Sequence, residues 1–351
     1  MRDHCKKLKI ASRHFMKRHD CKDNIGLVSL ACSLADKTMT ADEVASLSGF
    51  SEEYITDKLG FKEKRVSSIN QHPSDFAISA TQDAISKINF DPKEIDFLVY
   101  CSSGMYDYQF WSPSAHIQNV TGLKNAFALD LNNGCNCATA GMYLATKLLK
   151  SPDINYGLVV VSDTLSKFVN YADNKSFPLF SFSDGAAAVI LGKNIQKNTI
   201  LEQALYSDGN YAECNKVMAG GTRAFSTMDF YPYIRLENEE KVSALREGVI
   251  AENYLKVINK ILHDANVSYS DLSYVLMNQN SKKVMQTVLD QISIPSGKRF
   301  NTAEQYGHLG GVDTIFGLDM CLEKGLVKTG DLVLLATAGI GFNWGAQLIR
   351  I

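Results

Sequence analysis

Two hydrophobic rhythms alternate along the chain, one helical and one of short unbroken apolar runs. TADEVASLSG (40–49) has a Thr cap, an acidic residue three positions on and a closing Gly, which predicts a short helix. SEEYITDKLG (51–60) repeats that pattern from Ser51, and HPSDFAISATQDAISKINF (72–90) carries apolar residues at helical spacing. The next segment, DPKEIDFLVYCSSG (91–104), turns into the continuous run IDFLVYC, the pattern of a strand buried on both faces of a parallel sheet.

The succession then recurs. EIDFLVYCSS (94–103) has a counterpart in DLSYVLMNQN (271–280), each preceded by a helix and an acidic turn. LVVVSDT (158–164) and SFSDGAAAVILG (181–192) find counterparts in LVLLATAG (332–339) and GFNWGAQLIRI (341–351). A duplicated α/β chain follows, with residues 1–39 leading in, a first half over 40–195 and a second half over 196–351. Related halves packed about a pseudo-dyad would bring their central helix starts together.

Composition narrows the function classes. With 45% hydrophobic and 21% charged residues in 351 positions, there is ample material for a core. The formal charge of −2 sets up no overall field favouring nucleic acid or an anionic membrane. Small molecules or proteins are the expected partners. Basic residues cluster from Arg2 to Arg18, but they are interleaved with apolar residues, and no long apolar run follows to make a signal peptide or a membrane span. The expected location is cytoplasmic. Eight scattered cysteines then read as mostly free thiols rather than a disulfide framework.

Only Cys135 and Cys137 lie close together, in LDLNNGCNCATAGM (129–142), where an apolar strand end gives way to small residues that open a helix. Metal binding, packing and covalent chemistry are the three roles open to them. No second cysteine pair accompanies them, which argues against zinc. Cys137 reads as packing. Cys135 stands where a helix N-terminus favours a thiolate. The corresponding strand–loop–helix of the second half carries His308, with Asp313 five residues on. Nucleophile, base and orienting carboxylate could then divide the labour of a triad. On a helix beginning near Gly307, positions 308 and 313 need not share a face.

KLGFKEKRV (58–66), DLNNGCNCATAG (130–141), FSDGAAAVILG (182–192), QYGHLGGVD (305–313) and LLATAGIGFNWGAQLIRI (334–351) together resemble the ketosynthase III branch of the thiolase superfamily. The resemblance runs from about residue 40 to the C-terminus. It implies a thiolase-like five-layered α-β-α-β-α fold of two similar halves and a homodimer. It also implies an acyl group taken onto a cysteine from coenzyme A or an acyl carrier protein, with no permanently bound cofactor. By position, Cys135 and Gly341 would supply the backbone oxyanion donors, although Gly339 and Gly341 could form only a turn. Tyr54 and Lys58, with Arg65 nearby, would hold the coenzyme. GMYDYQFWSPSAHIQ (104–118) would contribute Tyr106, Tyr108, Phe110 and Trp111 to an acyl pocket or a dimer contact. Asp184 and Gly185 read as a strand turn.

Two positions depart from the family pattern. Asn278 stands where a histidine is expected, and His308 where an asparagine is expected, which is similar to a subset of relatives with a Cys-His-Asp site. Asn278 could donate a hydrogen bond to a second carbonyl but cannot act as a base. The expectation is an acyltransferase that loads Cys135 and passes the acyl group to an alcohol or amine, or primes a polyketide. The alternatives are decarboxylative condensation with a malonyl thioester and a non-catalytic subunit of a heterodimer.

Overall fold

The computed structural model describes residues 24–224 and 232–351, so the basic cluster from Arg2 to Arg18 lies outside the described residues. The short helices form where capping predicts them. Thr40 caps Ala41–Ser48 in a reciprocal box with Glu43, Ser51 caps Glu52–Leu59, and Gly49 and Gly60 close both in the left-handed region.

Strands Ile25–Leu34, Ile95–Ser102, Phe127–Asn132, Tyr156–Thr164 and Asp184–Lys193 make one half of the sheet. Thr199–Ser207, Leu272–Met277, Arg299–Phe300, Leu332–Gly339 and Asn343–Arg350 make the other. Numbered one to five in chain order, both halves run 3-2-4-5-1, with the second, third and fourth strands parallel. The halves meet along their first strands, at Gly26 opposite Thr199. Ile25–Leu34, which falls within residues 1–39, is therefore an innermost strand of the first half.

Alternation along each strand builds the layers. Phe97, Val99 and Cys101 point to a central core with Val161 and Val189, against Leu276, Val333 and Leu335 of the other half. Helices Cys137–Leu148 and Asp313–Glu323 fill this central layer. Leu98 and Tyr100 point the other way, to an outer core with helices Pro73–Ser86 and Pro113–Thr121. On the far side, Ile250–Ala265 and Lys282–Gln291 cover Val275, Leu334 and Ala336. The result is the five-layered α-β-α-β-α arrangement. Burial on both faces explains why IDFLVYC shows no polar alternation.

A smaller cluster of Val44, Ile55, Phe61, Leu179, Phe180 and Phe182 roofs the ends of the strands where the two central helices begin. No helix among the described residues is long and apolar enough to cross a membrane.

Candidate active site

Cys135 lies in the turn Gly134–Asn136, which runs directly into helix Cys137–Leu148, and is 5% exposed. The second half grips this turn. Asn136 accepts from the Thr337 hydroxyl at 2.5 Å and donates to Asn133 at 2.6 Å. The backbone after Thr337 presses so close that a Cβ on Gly339 would come within 2.6 Å of the Cys135 amide nitrogen. Likewise, a Cβ on Gly134, whose φ is 56°, would lie 2.7 Å from the Ile340 amide nitrogen. The backbone beside the nucleophile is thus Gly339–Ile340. Gly341, expected there from sequence, packs on Asn343 and lines neither cavity described below, whereas Ile340 lines both.

His308 is not helical. Its N–H donates to Ser181 at 2.7 Å and its carbonyl accepts from Ser183 at 2.9 Å, so it is seated like a strand residue beside Phe182. Asp313 begins the helix, and the intervening turn folds back so that His308 Nδ1 and Asp313 Oδ2 lie 2.5 Å apart. The carboxylate is pinned by the Leu309 N–H at 2.8 Å and the Gln279 N–H at 2.6 Å. Cys135 shares the first cavity with the imidazole and lies near enough to act on its charge. Burial works against charging the ring, yet Asp313, and after it the Cys135 sulfur, outweigh it and hold the His308 pKa up at about 10. Thiol, imidazole and carboxylate form one line, with Nδ1–H fixed toward the carboxylate.

Lys64, which the sequence analysis passed over, is completely buried close by. Its ammonium donates to the Phe180 carbonyl at 2.6 Å, the Phe182 carbonyl at 3.0 Å and the Tyr171 hydroxyl at 2.6 Å. It therefore ties down the strand end on which His308 sits. Burial lowers its pKa to about 7, with Asp184 acting in the opposite direction. Asp184 itself takes four hydrogen bonds from Ser67 and Ser166, anchoring two loops.

Two cavities meet at Cys135. One, of about 430 Å³, holds Cys135 and His308 with Ala338, Gly339, Asn280 and Ser281, and opens past Tyr54, Lys58, Arg246 and Lys283. The other, of about 530 Å³, runs from Cys135 past Ser103, Tyr106, Asn132, Leu165 and Ile234. Phe182 and Ile340 border both. In the aromatic loop, Tyr106 lines the second cavity, whereas Tyr108 and Phe110 are 68% and 110% exposed and Trp111 packs on Tyr108 and His116.

Two further expectations change. Asn278 does not line the cavity. It is fully buried, donates to the Ala338 carbonyl at 2.8 Å, and accepts from the Ala338 N–H at 3.1 Å and from the Tyr254 hydroxyl. Arg65 turns away too, with its guanidinium 5.2 Å from the Tyr306 ring centre, because it alternates with the inward-pointing Lys64 on strand Glu63–Val66. Tyr54 and Lys58 do line the mouth, together with Arg246 and Lys283, for which no sequence motif gave a signal. Cys137 is packing: its buried sulfur lies against Gly311.

A thiolase-type double sheet with a cysteine at the start of one central helix and a histidine–aspartate pair before the other defines a class of thioester enzymes. Comparison with known proteins agrees. Residues 129–209 match the family described as 3-oxoacyl-[acyl-carrier-protein (ACP)] synthase III, and residues 262–351 match its C-terminal family. The β-ketoacyl-[acyl-carrier-protein] synthase III of Synechocystis is 27% identical over 338 residues, covering 92% of this chain and 97% of the relative. The solved synthase III of Aquifex aeolicus superposes with a TM-score of 0.82 at 24% identity, covering 93% of this chain and all of that one. OleA of Xanthomonas campestris has a TM-score of 0.81 at 18% identity, over 94% and 98% of the two chains. These matches support a ketosynthase III-like enzyme of the thiolase superfamily.

Proposed function

We propose that Cys135 takes an acyl group from a coenzyme A or acyl-carrier-protein thioester and joins it to a second thioester, as a β-ketoacyl synthase III would. The observation that carries the first half is the buried Cys135–His308–Asp313 line opening on a cavity. The thiolate attacks the thioester carbon, and His308 returns a proton to the departing thiol. The amides of Cys135 and Ile340 are the proposed oxyanion donors, a reading supported by the close approach of the Gly339–Ile340 backbone to the turn that holds Cys135. In the second half, loss of carbon dioxide from a malonyl-type thioester supplies the carbon nucleophile. The names of the relatives favour this carbon–carbon bond over the ester or amide expected from sequence.

One observation supports acyl transfer to an alcohol or amine as a second reading. The amide of Asn278 is tied to Ala338, so that wall lacks the donor expected there for a second carbonyl. Supplying the acyl-enzyme with malonyl thioesters, alcohols and amines in parallel, and identifying the products by mass, separates the two. A β-ketoacyl product supports condensation, and an ester or amide supports the second reading.

A homodimer is part of the proposal. Among the described residues, strand Phe127–Asn132 is an unpaired sheet edge that exposes Phe127 and Leu129, and Tyr108 and Phe110 stand out on the same half. Sedimentation showing only monomer at micromolar concentration would overturn it.

A further inference from the structure

The two amides proposed as oxyanion donors belong to different halves of the chain. Cys135 lies in the turn Gly134–Asn136 of the first half, whereas Ile340 follows strand Leu332–Gly339 of the second. Contacts between the halves, rather than chain connectivity, therefore set their relative position. Among the described residues, the hydrogen bonds that join residues 133–139 to residues 336–343 all pass through one side chain, that of Thr337.

Thr337, Asn136 and Thr139 are each at most 1% exposed. The Thr337 hydroxyl has a single proton to give. Asn136 Oδ1 lies 2.5 Å from it and the Gly345 carbonyl 3.5 Å, so the proton goes to Asn136. Thr139, 2.9 Å from the Thr337 oxygen, must then be the donor in that pair. Asn136 in turn donates to Asn133 Oδ1 at 2.6 Å. The bonds thus run in one direction, from helix Cys137–Leu148 through the second half and back to the turn that carries Cys135. Glycines let the halves close on this chain of bonds. A Cβ on Gly345, which faces Thr337 across the sheet, would collide with Asn136 Oδ1.

We propose, on the acyl-enzyme and oxyanion reading above, that Thr337 is a positioning residue for acyl transfer. Through Asn136 it holds the Cys135 amide in register with the Ile340 amide, so that both meet the thioester oxygen as it becomes anionic. The role is confined to carbonyl substrates. Attack of the thiolate on a thioester carbon pushes an electron pair onto the carbonyl oxygen, whereas displacement of iodide from iodoacetamide forms the new C–S bond without charging an acyl oxygen. Both reactions need the thiolate, and only the first needs the two amides in register.

The test compares these two rates in the parent, Thr337→Val and Thr337→Ser, with each adduct mapped to the Cys135 peptide by mass spectrometry. The thioester is whichever labels the parent fastest among acetyl- to octanoyl-coenzyme A and the same acyl groups on an acyl carrier protein. Valine keeps the shape and removes the hydroxyl; serine keeps the hydroxyl and removes the methyl. Acylation at saturating thioester should fall about tenfold or more in Thr337→Val while alkylation stays within about twofold of the parent, and Thr337→Ser should bring acylation back to within about threefold. Both rates falling together, a ratio unchanged in Thr337→Val, or serine losing as much as valine overturns the positioning role. Should Thr337→Val give no folded protein, Thr139→Val, which strips Thr337 of its own donor, reads the same ratio: a fall of about threefold upholds the role and an unchanged ratio overturns it. A parent that iodoacetamide alkylates at Cys135 but no thioester acylates overturns the acyl-enzyme itself, and the positioning role with it.

Discussion

His308 and Lys64 are two buried bases on either side of the same strand end, and burial treats them oppositely. His308, 1% exposed, has a carboxylate in contact; Lys64, fully buried, has only two carbonyls and a hydroxyl, with Asp184 acting without a direct bond. The first is held as a cation up to about pH 10, whereas the second gives up its proton near 7. A pinned ionic partner, rather than burial itself, decides which base carries charge at the thiol. The neutral amine is not stranded. Its two N–H groups serve the carbonyls, and its lone pair can accept from the Tyr171 hydroxyl.

The comparison can be broken at several points. His308→Gln removes the base, and acylation of Cys135 should fall about a thousandfold in single-turnover measurements. Asp313→Asn keeps the shape but removes the partner that holds the cation. Acylation should fall about a hundredfold, and the His308 NMR titration should move down from about 10 toward its ordinary 6.5.

Lys64→Met sharpens the contrast through stability. It leaves the Phe180 and Phe182 carbonyls without their donor, and the expected loss is about 1–3 kcal/mol in denaturant unfolding. Its pH dependence follows from linkage. Between about 7 and 10.5 the unfolded chain holds the Lys64 proton that the folded chain has lost, so this group makes stability rise with pH. His308, raised from 6.5 to about 10, contributes stability that is fully present below 6.5 and lost as pH climbs toward 10. The two slopes oppose each other in the parent. Lys64→Met should therefore steepen the fall of stability across that range, and an unchanged slope would count against a neutral Lys64.

The smallest effect on chemistry is expected at Asn278. Because its amide serves Ala338 and Tyr254, Asn278→Ala should lower stability by about 1–3 kcal/mol while Cys135 acylation changes less than about threefold. A loss of acylation well beyond that would return Asn278 to the reacting centre.

The fold was legible where the signal is local. Thr40, Ser51 and their closing glycines mark helix ends by capping chemistry, and uninterrupted runs such as IDFLVYC mark strands with apolar layers on both sides. Cys135 and His308 stood out because the two halves repeat, and Asp313 joined them through the resemblance of QYGHLGGVD to the ketosynthase III pattern. Their contact was not legible, because it depends on the turn at 307–312 reversing the chain through Gly307 and Gly310, both at φ 65°. Direction was the other blind spot. Asn278 is turned by Tyr254 from a separate helix, and the register of the tip at 339–343 decides between Ile340 and Gly341. Lys64 was readable in principle from the alternation of Glu63–Val66, but a buried lysine runs against the ordinary expectation for that residue.

The central claim is that Cys135, poised by His308 and Asp313, becomes covalently acylated. Intact-protein mass spectrometry of the parent and Cys135→Ser after exposure to acyl-coenzyme A and acyl-carrier thioesters tests it directly. The account predicts a mass increase of one acyl group in the parent, mapped to the peptide containing Cys135 and absent from the variant. The same adduct on Cys135→Ser at another residue, or a parent that no thioester labels, would contradict it.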